Sequence, residues 1–319
     1  MKINYLKYTI LFVALAIFSC GKEKIALQTE EINAFTSDDL RAIQFTDAQN
    51  GCIIGGKTWE RGISLITRDG GKTWQKDSLQ GWSLYALGTD TEGGILTSGI
   101  TSEVFRKGVK DAKFQVLKEK QWAWDRDIAA RKPTDGYIRV GGQAWQDGRI
   151  TRVFGDGSVQ RDSFKQEIES VCFSDDSTVH AVGYGVILRS TNNGRTWKTN
   201  GTGGDFFQSV CFPSAKVGFT VGLSGTIAKT TDAGATWIIL RNGNAYTVSD
   251  EPFRSVFFTD LLRGYIVGDG GLMWQTSDGG DNWKVVKDLP NADFFDVFVL
   301  GNNGWIVGTG GKLIRFLAN

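Results

Sequence analysis

A chain of 319 residues is long enough for two average domains or for one closed all-β architecture. Its 36 basic and 35 acidic side chains leave a formal net charge of +1, which excludes a global field drawing nucleic acid or an anionic membrane surface; charge-based recognition must be local. With 41 Gly and 11 Trp against only 4 Pro, the chain suits many tight hairpins between regular strands and excludes a collagen-like or disordered polymer.

Lys2 and Lys7 flank the start of an apolar run from Tyr8 to Phe18. The run is shorter than the roughly 20 residues that span a bilayer and has the length of a signal-peptide core, so residues 1–19 are expected to be an export signal. Ile17-Phe18-Ser19-Cys20 resembles the bacterial lipobox, which implies acylation of Cys20; ordinary secretion is the rival reading. Residues 20–27, opening on Lys22-Glu23-Lys24, then form a polar tether. No Asp follows Cys20, so the outer membrane is the expected destination. With Cys20 assigned to lipid, Cys52, Cys172 and Cys211 remain, an odd set expected to be buried thiols.

From there to the end the chain repeats itself. Three adjacent stretches share an apolar strand (Val171-Cys172-Phe173, Val210-Cys211-Phe212, Val256-Phe257-Phe258), a turn, a second apolar strand ending in Gly, a third strand and a closing hairpin. The hairpins read Ser190-Thr191-Asn192-Asn193-Gly194-Arg195-Thr196-Trp197, Thr230-Thr231-Asp232-Ala233-Gly234-Ala235-Thr236-Trp237 and Thr276-Ser277-Asp278-Gly279-Gly280-Asp281-Asn282-Trp283. Thr67-Arg68-Asp69-Gly70-Gly71-Lys72-Thr73-Trp74 closes an earlier unit, and the interval from Trp74 to Trp197 holds two degenerate ones. The second-strand glycines fall at Gly55, Gly99, Gly141, Gly183, Gly222, Gly268 and Gly308, which defines seven units of four short strands. That is the pattern of an all-β, seven-bladed β-propeller over residues 28–319. The seventh unit has only three strands of its own, so the segment Ile25 to Phe35 is predicted to close the ring as its outer strand.

Within each hairpin, Asp (or Asn192) can accept hydrogen bonds from its own turn, Gly permits positive φ, and the Trp can plug the gap between blades. Asp69, Trp74, Asn192, Trp197, Asp232, Trp237, Asp278 and Trp283 are therefore assigned structural roles, not calcium or ligand sites, and Trp237→Ala is expected to melt at a markedly lower temperature. Ser/Thr-x-Asp-x-Gly-x-Thr-Trp is the Asp-box found in sialidases, sortilin-type receptors and xyloglucanases. The fuller run Val221-Gly222-x-x-Gly225-Thr226-Ile227 into Thr230-x-Asp232-x-Gly234-x-Thr236-Trp237 resembles the photosystem II stability and assembly factor family. The resemblance covers about residues 36 to 319 and implies a single seven-bladed propeller acting as a non-enzymatic assembly chaperone, lipid-anchored in some members.

An enzyme is disfavoured by the residues themselves. The chain lacks the sialidase signature: Phe253-Arg254-Ser255-Val256 simply repeats Phe207-Gln208-Ser209-Val210. His180 is the single histidine and reads as a packed residue, not half of a metal site. Glu167 and Glu169 share a strand face, but paired carboxylates mean little without a pocket. No cofactor and no metal are expected.

A binding surface has a definite place, because the residue before each first strand should surround one mouth of the central channel. The frame gives Arg41, Ser83, Arg126, Glu169, Gln208, Arg254 and Phe295. Three arginines, whose planar forks suit carboxylates and aromatic faces, would converge there to capture an acidic loop or terminus of a partner. The competing expectation pairs them with nearby Asp125, Asp127 and Glu251. Trp122 and Trp124 are candidates either for an exposed interface or for replacement plugs. The sequence therefore points to a monomeric, lipid-anchored scaffold that binds a protein partner in the cell envelope and no nucleic acid. A glycan-binding or glycan-cleaving propeller is the alternative.

Overall fold

The computed structural model describes residues 22–77, 79, 82–111, 113–118, 122–143, 145–200 and 204–318. Residues 1–21, including Cys20, lie outside the described residues. The described residues form seven sheets, each of which counts its strands outward from the centre. Blade one shows the plan: an inner strand Asp39–Phe45, a second strand Gly51–Lys57, a third Arg61–Thr67 and an outer strand Gln75–Asp77, all antiparallel. The other inner strands are Leu84–Thr89, Asp125–Ala130, Ile168–Phe173, Phe207–Cys211, Phe253–Phe258 and Phe294–Leu300. Second strands are buried along their length, as expected for the middle of a sheet sandwiched between two neighbours.

The ring closes as the repeat count requires, with one refinement. Thr29–Glu31 pairs antiparallel with Leu313–Leu317 and supplies the outer strand of blade seven. The leading segment is not a single strand, however: Lys24–Ile25 pairs in parallel with Lys284–Val286 and adds a fifth strand to blade six. Of the stretch read as a tether, Lys22, Glu23 and Ile25 are thus hydrogen-bonded to the propeller.

Every inner strand carries one register shift, and all seven fall at the same place. Leu40, Leu84, Asp125, Ile168, Phe207, Phe253 and Phe294 sit opposite the seven second-strand glycines, and the next pairing skips one residue. The skipped residue is a β-bulge, which re-aims its side chain. The glycine opposite is required by contact: a Cβ on Gly183 would lie 1.9 Å from the Glu167 carbonyl oxygen, and one on Gly141 1.9 Å from that of Trp124. The Gly ladder read from the sequence is therefore the footprint of seven bulges.

The Asp-boxes lock blades together at the opposite end of the barrel. In the first, the Asp69 carboxylate accepts from the Lys72 and Thr73 amides and from both the Thr67 and Thr73 hydroxyls, which holds its pKa down to about 2. The box Trp stands edge-on to the aromatic ending its own inner strand: Trp74 on Phe45, Trp237 on Phe212, Trp283 on Phe258. That aromatic stacks in turn on a second-strand ring of the preceding blade, His180 on Phe212 at 4.0 Å and Phe219 on Phe258 at 3.8 Å. Arg152, Arg189 and Lys229 each reach from one blade to a box carbonyl of the next, on Asn193, Ala233 and Gly279. His180 is one of these wedges; burial, then Arg189, pushes its pKa down to about 3, so it packs as a neutral ring.

Candidate functional site

The seven bulges place Arg41, Tyr85, Arg126, Glu169, Gln208, Arg254 and Phe295 around one mouth of a central cavity of about 520 Å³. The structure brings together six of the seven residues assigned from the repeat frame. The exception is blade two, where Ser83 is buried below the rim and Tyr85 holds the mouth position.

The arginines are paired, though not with the partners expected. Arg126 donates to Glu167 through Nε at 3.0 Å and Nη2 at 2.7 Å, and Glu169 lies 3.5 Å from Nε. Arg254 forks onto Asp269 with two bonds of 2.8 Å and touches Gln208 at 3.3 Å. Arg41 meets Asp39 at 2.6 Å. Asp125 instead holds buried Arg139, and Glu251 holds Arg241 and Lys22. Asp127 receives the Ser170 hydroxyl and Val171 amide of blade four. Burial works against the charge of Arg126 and Arg254, but the neighbouring carboxylates outweigh it and keep both protonated. Burial pushes the Glu169 carboxyl up, against the pull of Arg126.

Pairing leaves the flat faces of the guanidinium groups to aromatics. Arg41 lies over Phe295 at 4.3 Å and Tyr85 at 5.0 Å; Arg126 lies over Trp124 at 4.7 Å. From Trp124 a continuous aromatic ridge runs outward: Trp59 at 5.3 Å, then Trp82 and Trp122 at 5.4 and 6.0 Å from Trp59. Trp59 sits in the hairpin between the second and third strands of blade one with φ of 66°, and is 48% exposed; Trp122 is 68% exposed. Trp122 and Trp124 are therefore mouth residues and not blade plugs. Trp145, 61% exposed, crowns the same face from blade three, its amide held by Glu167 at 2.7 Å. Sequence reasoning missed Trp59, Trp82, Trp145 and Tyr85; the available signal was that the three tryptophans fall outside the Asp-box register, in turns on the glycine side of the blades, while Tyr85 is the bulged residue of the inner strand of blade two.

Below the mouth, Asp127 and Asp296 stitch adjacent inner strands. Asp296 of blade seven accepts the Ser255 hydroxyl of blade six at 2.7 Å and the Ile43 amide of blade one at 3.0 Å. Burial pushes Asp127 up to about 7 and Asp296 up to about 6. Cys172 and Cys211 line the channel wall as free thiols, raised by burial. Among the described residues no group of His, Cys, Asp and Glu is arranged to hold a metal ion.

Residues 202–292 match the family model described as "Photosynthesis system II assembly factor YCF48". The propeller is thus similar to photosystem II assembly factors, as the blade-five run had suggested. Two solved structures share its fold at 16% identity. "YCF48 bound to D1 peptide" superposes with a TM-score of 0.72 over 94% of this chain and 100% of that one. "YCF48 from Cyanidioschyzon merolae" gives 0.69 over 91% and 98%. No curated protein matches the sequence.

Proposed function

We propose that the chain is a non-enzymatic binding propeller that grips a segment of a partner protein at the channel mouth and so helps assemble or stabilise an envelope protein complex, held at the membrane by a lipid on Cys20. The observation that carries this reading is the mouth itself: three arginines whose edges are paired, two of them, Arg41 and Arg126, with their faces stacked on aromatic rings, and continuous with an exposed tryptophan ridge. Tryptophan and arginine are the residues from which binding hot spots are built, and prepaired guanidinium groups present their remaining donors without losing rotamer freedom on binding. The fold neighbour carrying a D1 peptide supports a peptide ligand for this type of propeller. An enzymatic reading finds little support, since Glu167 is locked by Arg126 and the Trp145 amide, and Glu169 rests on the same guanidinium.

The test is affinity capture from detergent-solubilised envelopes with the unchanged chain and with Arg41→Gln/Arg254→Gln. Both side chains leave exposed or half-buried carboxylates behind, so the fold is expected to survive. Loss of a specific partner with an unchanged melting curve supports the proposal; undiminished capture refutes it. Exposed Trp59 and Trp122, with rings 19° from parallel, would also suit a sugar face and keep a glycan-binding alternative in view. Saturable binding to cell-wall oligosaccharides in calorimetry, without any captured protein, would favour that alternative.

A further inference from the structure

The outer strands of a propeller are free sheet edges facing water, and most here are polar as that position demands. Blade one ends in Gln75–Asp77, blade four in Lys198–Asn200 and blade seven in Thr29–Glu31. Blade two exposes Val116 and Leu117, but between Gln115 and Lys118. Blade five departs from the pattern altogether. Its outer strand Ile238–Arg241 turns Ile238, Ile239 and Leu240 to solvent in succession, at 62, 39 and 40% exposure. Successive side chains on a strand point to opposite faces, so this edge is apolar on both sides. Tyr246, fully exposed, lies in the loop that follows this strand.

The amino-terminal segment meets the propeller beside this edge. Lys22 shares one cleft with Leu240, Arg241, Trp274 and Trp283. Its Nζ sits 3.2 Å from the centre of the Trp274 ring and 3.3 Å from Glu251. Lys24–Ile25 is already paired to blade six. Cys20 is two residues before Lys22, a span of at most about 7 Å. A lipid there would hold the bilayer against this sector of the rim, with no length of tether to move it elsewhere.

We infer that the apolar outer edge of blade five, Ile238-Ile239-Leu240 with Tyr246, docks on the lipid bilayer beside the anchor. This deepens the proposed function and rests on its assignment of lipid to Cys20. A lipobox cysteine carries a diacylglyceryl group, which is enough by itself for stable anchoring, so the apolar edge sets how the propeller is oriented on the bilayer, not whether it stays there. Seating the rim on the bilayer stands the disc on edge, with the channel axis lying along the membrane and the mouth open to the extracytoplasmic loops of a neighbouring complex.

The experiment places the full chain, recovered from membranes, on vesicles of phosphatidylethanolamine and phosphatidylglycerol. Spin labels are introduced through Ile239→Cys and, at the matching outer strand of blade four, Thr199→Cys, with the unsubstituted chain as the labelling blank. The lipid on Cys20 is read by mass. A label at 239 shielded from aqueous nickel and accessible to oxygen, with that at 199 in water, supports the docking. Adding Ile238→Ser/Leu240→Ser to the labelled Ile239→Cys chain should then return the label at 239 to water while the lipid-bearing chain stays on the vesicles. A lipid-bearing chain whose 239 label stays in water overturns the docking and leaves the anchor standing. A chain without lipid that still binds vesicles through 239 removes the anchor and keeps the docking. A chain without lipid that does not bind overturns both. If 239 is shielded only because two copies pair edge to edge, seen as a dimer by light scattering, the inference fails.

Discussion

Trp305 of blade seven lies face to face with Phe45 of blade one, ring centroids 4.1 Å apart and planes 27° from parallel. Phe298 stacks on the other flank of Phe45 at 5.8 Å and Trp74 meets it edge-on at 5.9 Å. The first and last blades of the ring therefore meet through four aromatic rings, beside the hydrogen bond from the Ile43 amide to Asp296. Trp305 is 2% exposed, so Trp305→Ala opens a large cavity in the closing seam and should cost about 3–5 kcal/mol. Chemical denaturation followed by tryptophan fluorescence measures it; a loss below about 1 kcal/mol would show that the seam is held elsewhere.

Trp237 is only half-buried and contacts Phe212 by its edge. Trp237→Ala should therefore destabilise less than the seam variant, by about 2–3 kcal/mol. A melting temperature equal to that of the unchanged chain would remove the plug role from the box tryptophans.

The buried pair Asp127 and Asp296 gives a pH signature. An ordinary aspartate titrates near 3.8; burial raises these two to about 7 and about 6 in the folded chain. Between those limits the folded state binds more protons than the unfolded one, so stability falls as pH rises. Asp-box carboxylates Asp69 and Asp232, held down to about 2, act oppositely: their contribution is present above pH 4 and lost as pH falls towards 2. Melting temperature across pH 4 to 8 is expected to decline from the acid side, and Asp127→Asn should flatten that decline. A variant with the slope of the unchanged chain would assign the pH dependence to other groups.

Adding a methyl group at Gly183 drives a Cβ into the Glu167 carbonyl, whose strand start positions both Glu167 and the bulged Glu169. Gly183→Ala should lower stability and disturb the Arg126 cluster, whereas Gly185→Ala, with open space around its side chain, acts only through its positive φ. Equal losses at the two positions would contradict the close-approach account.

Much of this was legible in the sequence because the repeat makes each blade a check on the others. The glycine ladder located all seven second strands, and six of the seven mouth residues followed from it. Blade two slipped from Tyr85 to Ser83 because a bulge re-aims one side chain without leaving a mark in the apolar pattern of the strand. Charge pairing was not legible: Asp125 and Asp127 flank Arg126 in the sequence, yet strand geometry turns one towards Arg139 and sends the other to blade four. Trp122 and Trp124 were legible as interface candidates, but the ridge they belong to was not, since Trp59, Trp82 and Trp122 are gathered from three separate turns, a proximity that only the closed ring creates.

Trp122 separates binding from folding. At 68% exposure its removal leaves the core intact, so Trp122→Ala should change stability by less than about 0.5 kcal/mol while weakening partner capture by about tenfold or more. Unchanged capture would take the ridge out of the interface.

Crosslinking of the captured partner, followed by mass spectrometry of the joined peptides, tests the mouth most directly. Lys57 is exposed on the hairpin beside Trp59, while Lys72 and Lys216 are exposed on the Asp-box face at the other end of the channel. The account predicts partner peptides joined to Lys57 and absent from Lys72 and Lys216. Partner peptides joined to Lys72 and Lys216 but not to Lys57 would contradict it.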